Sequence, residues 1–347
     1  MKQIVPVVMN NSFQRLAAID DYISLIWTSR YYTSGDFELC VPASAANMAL
    51  FKKDYFIVRD DDENMGIVEN IKIQHNEDNA DVLIVSGRFL DAVIARRIIA
   101  TQTTVSGKVS VCIEQLLDEN IINPEDPDRQ IANFTIESYE VATTMQAQYT
   151  GKNLLETIAG ICETYGIGYK VTLNDNNEFV FQLYEGVNRT YDQTTNTWVI
   201  FSNKYDNLQA SDYEEDYQNI ATAVLVAGEG EGLDRKTAWV TDGQTGINRH
   251  ERYQDQRNIQ SNDGEITEEE YMELLEESGK EALTKYTTAF VGTVYFDNIK
   301  YKDDVYLGDI CVIENSKWGI YVNSRLVEVI ESVSESGDYS IVPTFGV

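Results

Sequence analysis

Histidine, cysteine and positive charge are all scarce in this chain. Its 347 residues include two histidines and four cysteines, and 27 lysines and arginines stand against 57 acids, a formal charge of −30. Each shortage excludes something. His75 and His250 lie in polar runs, and no H-E-x-x-H, C-x-x-C or G-x-S-x-G string exists, so the zinc-peptidase, zinc-ribbon and α/β-hydrolase signatures are missing. Cys40, Cys112, Cys162 and Cys311 are far apart among apolar neighbours. An even count permits two disulfides, but they read as reduced, buried thiols of a protein made in the cytoplasm. The lack of bases disfavours sequence-independent binding to nucleic-acid phosphates and to anionic membranes, because such binding needs Lys and Arg. No stretch approaches the roughly 18 apolar residues of a membrane span. The segment Met1–Asn11 holds no apolar run of signal-peptide length.

What is present is the composition of a folded protein, with 43% hydrophobic and 24% charged residues. The length suffices for two or three domains with cores of their own. Charge is uneven. Residues 1–100 carry 14 acids and 10 bases (−4), residues 101–200 carry 14 and 5 (−9), and residues 201–347 carry 29 and 12 (−17).

The first hundred residues read as β structure, from the alternation in Tyr22–Trp27, Phe37–Val41, Tyr55–Val58, Gly66–Val68, Ile71–Ile73 and Val82–Val85. Polar tips fall at Asp60–Asn64 and Asn76–Asn79, and short helices are expected at 44–51 and 88–97. Ser106 is expected to cap a helix with Val109, Cys112, Ile113, Leu116 and Leu117 on its apolar face. A second helix follows Gly151, ends at a left-handed Gly166, and leads into a hairpin of Tyr169–Leu173 and Phe179–Leu183. A strand over Asn219–Ala227 precedes the glycine-rich turn Gly228–Gly232. Thr267 and Glu270 form a capping box for a long acidic helix over about 268–287, with Tyr271, Leu274, Leu275, Ser278, Ala282 and Tyr286 on its buried face and Glu273, Glu276, Glu277 and Glu281 on a wet one.

The two ends of the chain read alike. Asp54–Val58 matches Asp309–Ile313 at an offset of 255, Gly66–Val68 matches Gly319–Tyr321 at 253, and Asp81–Val85 matches Asp338–Val342 at 257. The expectation is a mixed β and α+β fold: two similar small β-barrels, at 1–104 and 201–347, flanking an α+β insertion at 105–200.

Signals for chemistry fail on inspection. The Asp60 turn begins like a calcium loop, but Met65 stands where Gly is needed and Ile71 where a bidentate Glu is needed. Gly228, Gly230 and Gly232 alternate with Glu229 and Glu231, which would repel phosphate, so this reads as a mobile loop. Tyr213-Glu214-Glu215-Asp216-Tyr217 is the one acidic cluster with aromatics beside it; as a pair of carboxylates it would suit a peptidoglycan- or carbohydrate-acting hydrolase, and as a plain acidic surface it needs no chemistry. The 21 tyrosines and four tryptophans leave a carbohydrate-binding adhesin as a further alternative. No catalytic residue, metal ligand or cofactor site is assigned.

Four stretches carry a resemblance. They are Tyr31–Pro42, with Asp36, Phe37 and Pro42; Tyr149–Leu155, with Asn153 and Leu154, running on to Tyr169; Tyr205-Asp206-Asn207-Leu208 running to Asn219; and Val226–Gly232, with Gly228 and Gly230. In order and spacing they resemble the tail-hub, or tail-associated baseplate hub, proteins of phages that infect Gram-positive bacteria, which are similar in fold to contractile-tail hubs. The resemblance implies a structural virion component rather than an enzyme. It implies a homotrimer whose six barrels form a pseudo-sixfold ring closing the distal end of a tail tube, adapting sixfold to threefold symmetry. The implied partners are the tube or distal tail protein, the tape-measure protein, and tip, spike or receptor-binding proteins; DNA would meet it only in transit. Assembly would follow synthesis in the host cytoplasm. Many family members extend into a hydrolase or fibre-like module, which is not expected after Pro343–Val347.

Overall fold

In the computed structural model, residues 4–75, 81–261, 266–283, 287–294 and 299–346 are described. Strands dominate, because most apolar runs are short, alternating and bounded by turns. Among the described residues four α-helices interrupt them: α1 (Ala45–Leu50), α2 (Val109–Leu117), α3 (Leu154–Tyr165) and α4 (Glu268–Ala282). Among the described residues no helix is long and apolar enough to cross a membrane.

The organising element is one ten-stranded sheet built from both ends of the chain. Its N-terminal block runs Ser24–Arg30, Asp36–Pro42, Asp81–Arg88, Asn70–His75; its C-terminal block runs Leu208–Asp216, Thr287–Val294, Tyr339–Gly346, Ile320–Val333. In chain order each block is first, second, fourth, third strand, all antiparallel. The same order therefore occurs twice, in the regions whose sequences match. The blocks meet at a seam where Ile320–Val333 pairs antiparallel with Ser24–Arg30, from Glu328 opposite Arg30 to Val333 opposite Leu25. Ile200–Ser202 and Ile310–Asn315 extend the C-terminal block beside Ile320–Val333. No sheet closes on itself among the described residues.

Alternation sorts the side chains. In the N-terminal block Leu25, Trp27, Phe37, Leu39, Val41, Leu83 and Val85 turn to one core, while Ile26, Glu38 and Pro42 turn outward. A small sheet of Val7–Met9, Arg15–Ala18, Phe56–Val58 and Met65–Ile67 covers that core. Val8 and Ile57 face it, whereas Val7, Met9, Phe56 and Val58 face the middle of the chain, so these strands are buried on both sides. The middle unit packs α2 and α3 with the ladder Thr103–Lys108/Thr144–Tyr149 and the hairpin Gly168–Leu173/Phe179–Tyr184. Between the first two strands of the C-terminal block, the chain leaves to form a separate unit: a three-stranded sheet (Ala223–Ala227, Thr237–Thr241, Glu251–Asp255) under α4, with its own core around Val226, Tyr271 and Leu275.

Several local expectations need correction. Ser106 caps no helix: it pairs as a strand residue with Gln146, and α2 begins after Lys108 without a side-chain cap. The 88–97 segment is a 3₁₀ helix, Leu90–Arg96. α4 has its capping box but ends at Ala282, five residues early; Tyr286 and the Asn76–Asn79 tip lie outside the described residues. Its acids are not all wet. Glu277 accepts a hydrogen bond from Tyr165 Oη at 2.9 Å and Glu281 one from Tyr149 Oη at 3.3 Å, because α4 lies between its own sheet and the middle unit. Burial raises the Glu281 carboxyl above its ordinary range. The helix after Gly151 and its left-handed Gly166 (φ 72°), the Gly168–Leu173 hairpin and the hairpin around Asp60 form as expected. All four cysteines are free, with Cys40 half-buried and the others buried.

Candidate functional site

The three parts of the chain converge on Tyr31, which follows the first strand of the N-terminal block. Its ring is fully buried, and its hydroxyl accepts from the Gly186 N–H at 3.2 Å and lies 3.2 Å from the Gly166 carbonyl oxygen. The Arg325 guanidinium of the C-terminal block stands 5.1 Å from the ring centre. Glycine is required around it: a Cβ on Gly168 or on Gly308 would stand 2.3 Å from ring carbons, and Gly308 has φ +94°. Burial pushes the Tyr31 hydroxyl up to about 12.

Further along the seam, on its core side, lies a buried ionic cluster. Glu331 of Ile320–Val333, opposite Trp27 in register, accepts from Arg59 Nη2 at 2.9 Å, Lys302 Nζ at 2.9 Å and Tyr339 Oη at 2.6 Å. Lys302 also reaches Asp62 at 2.6 Å, and Arg59 holds Asp61 through two hydrogen bonds while its guanidinium stands 5.3 Å from the Trp27 ring centre. The side chains of Arg59, Asp62 and Glu331 are 0, 1 and 2% exposed. Burial works against every charge here, yet Arg59 and Lys302 hold the Glu331 carboxyl below its usual range, and the carboxylates hold Lys302 above its own. The cluster therefore joins a hairpin turn of the small covering sheet to a strand of the C-terminal block. On the outer side of the seam Arg30 pairs with Glu328 at 2.7 Å and with Asp36.

The residues singled out from sequence are placed at four separate points. Asp36 pairs with Arg30 at the seam, Phe37 packs with its ring centre 6.0 Å from that of Trp27, and Pro42 ends its strand, exposed. Asn153 caps α3, accepting from the N–H groups of Leu155 and Glu156 and donating to the Ala95 carbonyl, and Leu154 is fully buried. At the entry to the C-terminal block, Tyr205 is exposed, Asp206 is left-handed (φ 55°), and buried Asn207 bridges the Ser202 N–H and the Ile200 carbonyl, which seats Leu208 in the core. Gly228 leaves room for the Tyr271 hydroxyl, which a Cβ would approach to 2.1 Å, and Gly230 turns with φ +91°. These are turn, cap and packing devices. The structure does not bring them together.

The acidic cluster has the geometry of an ordinary surface. Glu215 accepts from Tyr213 Oη at 2.5 Å and Tyr217 Oη at 2.6 Å, which holds it below the usual carboxylate range, the opposite of a general acid. His75 Nδ1 lies 2.6 Å from Asp81 at an exposed strand end. Among the described residues no group of three or more His, Cys, Asp or Glu side chains is placed to hold a metal. Reading by sequence missed Arg59, Asp62, Lys302 and Glu331. One signal was visible: Glu331 stands in the core-facing register between Val329 and Val333.

The fold is that of phage tail proteins. It superposes on the tail protein from Neisseria meningitidis MC58 with a TM-score of 0.59 at 14% identity, covering 100% of this chain and 97% of that one. Prophage tail protein gp18 from Listeria monocytogenes EGD-e gives 0.57 at 13%, with 99% and 94% covered. The 43 kDa tail protein of prophage MuSo2 from Shewanella oneidensis gives 0.57 at 14%, with 98% of each covered. By sequence, the chain belongs to the Siphovirus ReqiPepy6 Gp37-like protein family, whose pattern it matches over residues 5–347. No curated protein matches it in sequence. Family and fold agree in pointing to a phage: the family is a Siphovirus one, and the three structures that share the fold are tail proteins.

Proposed function

We propose that this protein is the hub of a phage tail, a homotrimer that closes the distal end of the tail tube. The observation that carries this reading is the repeated strand order. At the seam, the third strand in chain order of one block pairs with the first strand of the other. Each chain keeps one more strand of each kind at its open sheet edges: Asn70–His75 is a third strand and Leu208–Asp216 a first. The same pairing between copies is head to tail, and three copies would close it into a ring of six blocks. Charge favours the match, since Lys72 lies on one edge and Asp212, Glu214, Glu215 and Asp216 on the other. An uncovered edge strand is otherwise a liability that folded proteins avoid.

In this reading the two blocks are the cores of two similar small barrels, in 1–104 and 201–347, flanking the insertion at 105–200. Six near-equivalent blocks from three chains adapt a sixfold tube to a threefold tip. The motif residues, from Asp36 to Gly230, serve shape and assembly rather than catalysis. Partners are the tube or distal tail protein above, the tape-measure protein, and tip, spike or receptor-binding proteins below, so that the hub supports host attachment and injection. Three chains of −30 each would carry −90, which suits a channel that DNA crosses without being held. The protein is made in the host cytoplasm and assembled into the virion.

Light scattering after size exclusion, with negative-stain imaging, tests the ring in the presence of its tail partners. Lys72→Pro and Ile73→Pro are the decisive variants: N–H groups alternate along a strand, so one of the two removes a donor from the open edge. The expected result is three-chain rings for the parent and monomers of unchanged circular dichroism for that variant. Rings that survive both substitutions, or a parent that forms none with tail proteins present, would overturn the reading.

A further inference from the structure

A cavity of about 510 Å³ opens where the two blocks and the middle unit meet. That is within the range of small-ligand sites. Its walls include Phe89, Tyr169, Tyr184 and Tyr301 among a larger number of charged residues, and the Lys170 and Lys302 ammonium groups already stand 5.7 and 5.2 Å from the Tyr184 and Tyr301 ring centres. Two polar groups in it are left incomplete. Tyr169 lines the cavity, is only 4% exposed, and its buried hydroxyl has no hydrogen-bond partner among the described residues. A buried hydroxyl with nothing to bond costs stability, so it normally finds a partner. The second is Asp91, 5% exposed, whose carboxylate accepts from the Ser34 hydroxyl at 2.8 Å and from the Ala92 N–H and makes no ion pair among the described residues, Arg88 in its field being paired with Glu69. The basic side chains that line the cavity are already matched: Lys170 with Glu63, Lys302 with Asp62 and Glu331, and Arg30 with Asp36 and Glu328.

We propose that this cavity is a binding site for an organic cation, an ammonium or guanidinium group, with Asp91 as its counter-charge, the Tyr169 oxygen accepting one of its N–H groups, and the net negative lining favouring its charge. Each part of the site asks for the same chemistry. A buried carboxylate without an ion pair favours a cation, an orphaned phenol oxygen takes an N–H, and the lining carries six acids (Asp61, Asp62, Glu63, Asp91, Glu185 and Asp309) against three bases (Arg30, Lys170 and Lys302). A bare metal ion fits poorly, since the volume is large and the described residues place no third ligand beside Asp91. Burial pushes the Asp91 carboxyl up to about 6, outweighing its hydrogen bonds and the Arg88 charge, which pull it down. The site is independent of ring formation and stands or falls apart from the hub reading.

Thermal unfolding of the full chain at neutral pH, titrated with spermidine and with N-acetyl-arginine amide, tests it. The first probe represents a free polyamine and the second a basic side chain of a partner; the one that binds identifies the source. Saturable stabilisation by at least one is expected, with the apparent Kd raised at least tenfold in Tyr169→Phe and in Asp91→Asn. Tyr169→Phe deletes an unsatisfied hydroxyl, so the free chain should keep or gain stability, which separates lost binding from lost folding. A hydrated cleft without specificity would give no saturable shift with either cation, an equal shift with uncharged N-acetyl-citrulline amide, or a shift that persists in both variants. Any of these would overturn the proposal.

Discussion

The two blocks share a strand order but not a construction. In the N-terminal block the third strand is divided: Met65–Ile67 pairs into the covering sheet, and Asn70–His75 continues in the large one. In the C-terminal block the corresponding strand is unbroken, and the 14 residues of Ile320–Val333 serve both roles, pairing with Ile310–Asn315 at one end and with Ser24–Arg30 at the other. Each block also has a nearly inaccessible acid in it or next to it. Asp91, beside the N-terminal block, rests on a hydroxyl and is raised; Glu331, in the C-terminal block, rests on Arg59 and Lys302 and is lowered. Burial raises both, and the neighbour alone sets the sign. Joining the blocks supplied cations to one acid and not to the other.

The largest expected effect comes from breaking that difference. Glu331→Gln leaves Arg59 and Lys302 without their shared carboxylate, and urea unfolding should show a loss of about 3–5 kcal/mol. Replacing Arg59, Lys302 and Glu331 together with apolar residues of similar volume should recover most of it, because the desolvation of all three charges disappears. Full destabilisation in that triple variant would show the cluster to be more than a matched set of charges.

Next is Asp91→Asn, whose effect depends on pH. A carboxyl raised to about 6 binds its proton in the folded state before the unfolded one does, so the parent loses stability as pH rises from about 4 through 6. The variant should exceed the parent by up to about 3 kcal/mol above pH 6, and the advantage should vanish near pH 4. Glu331 has the opposite sign: its contribution is present above the ordinary carboxylate range of about 4.3 and is lost as pH falls below it. A parent profile with a maximum between these limits would bear out the comparison, and one that rises monotonically from pH 4 to 8 would not.

Gly308→Ala tests the Tyr31 junction, since its Cβ meets the ring at 2.3 Å from a left-handed backbone. About 1–3 kcal/mol should be lost, read as a lower melting temperature. Asn153→Ala, confined to the α3 cap, should cost about 1 kcal/mol. Arg30→Gln, on the wet side of the seam, should cost well under 1 kcal/mol, and adding salt should shrink even that. If Arg30→Gln proved as costly as Glu331→Gln, the two faces of the seam would not differ as described.

Much of this was legible because it is local. Alternation marked Phe37–Val41 and Val82–Val85, the Asn153 and Thr267 caps preceded their helices, and Gly166 ended α3. Ser106 misled because a serine before an apolar run looks the same whether it caps a helix or sits in a ladder; the partner strand Thr144–Tyr149, nearly 40 residues on, made the choice. The acids of α4 misled similarly, since a Glu on a polar stripe is wet only until a second unit packs over it.

The amino-acid sequence by itself determined the strands, the matching patterns at the two ends and the acidic balance, all of which depend on neighbours a few residues apart. Only the tertiary structure decided that the matching ends share one sheet, that Glu331 and Arg59, 272 residues apart, pair across its seam, and that Asp91 and Tyr169 face a common cavity. The reason is physical. The periodicity of a strand says which side chains share a face, but not which distant strand will lie beside it, and the charge state of a buried group depends on that neighbour.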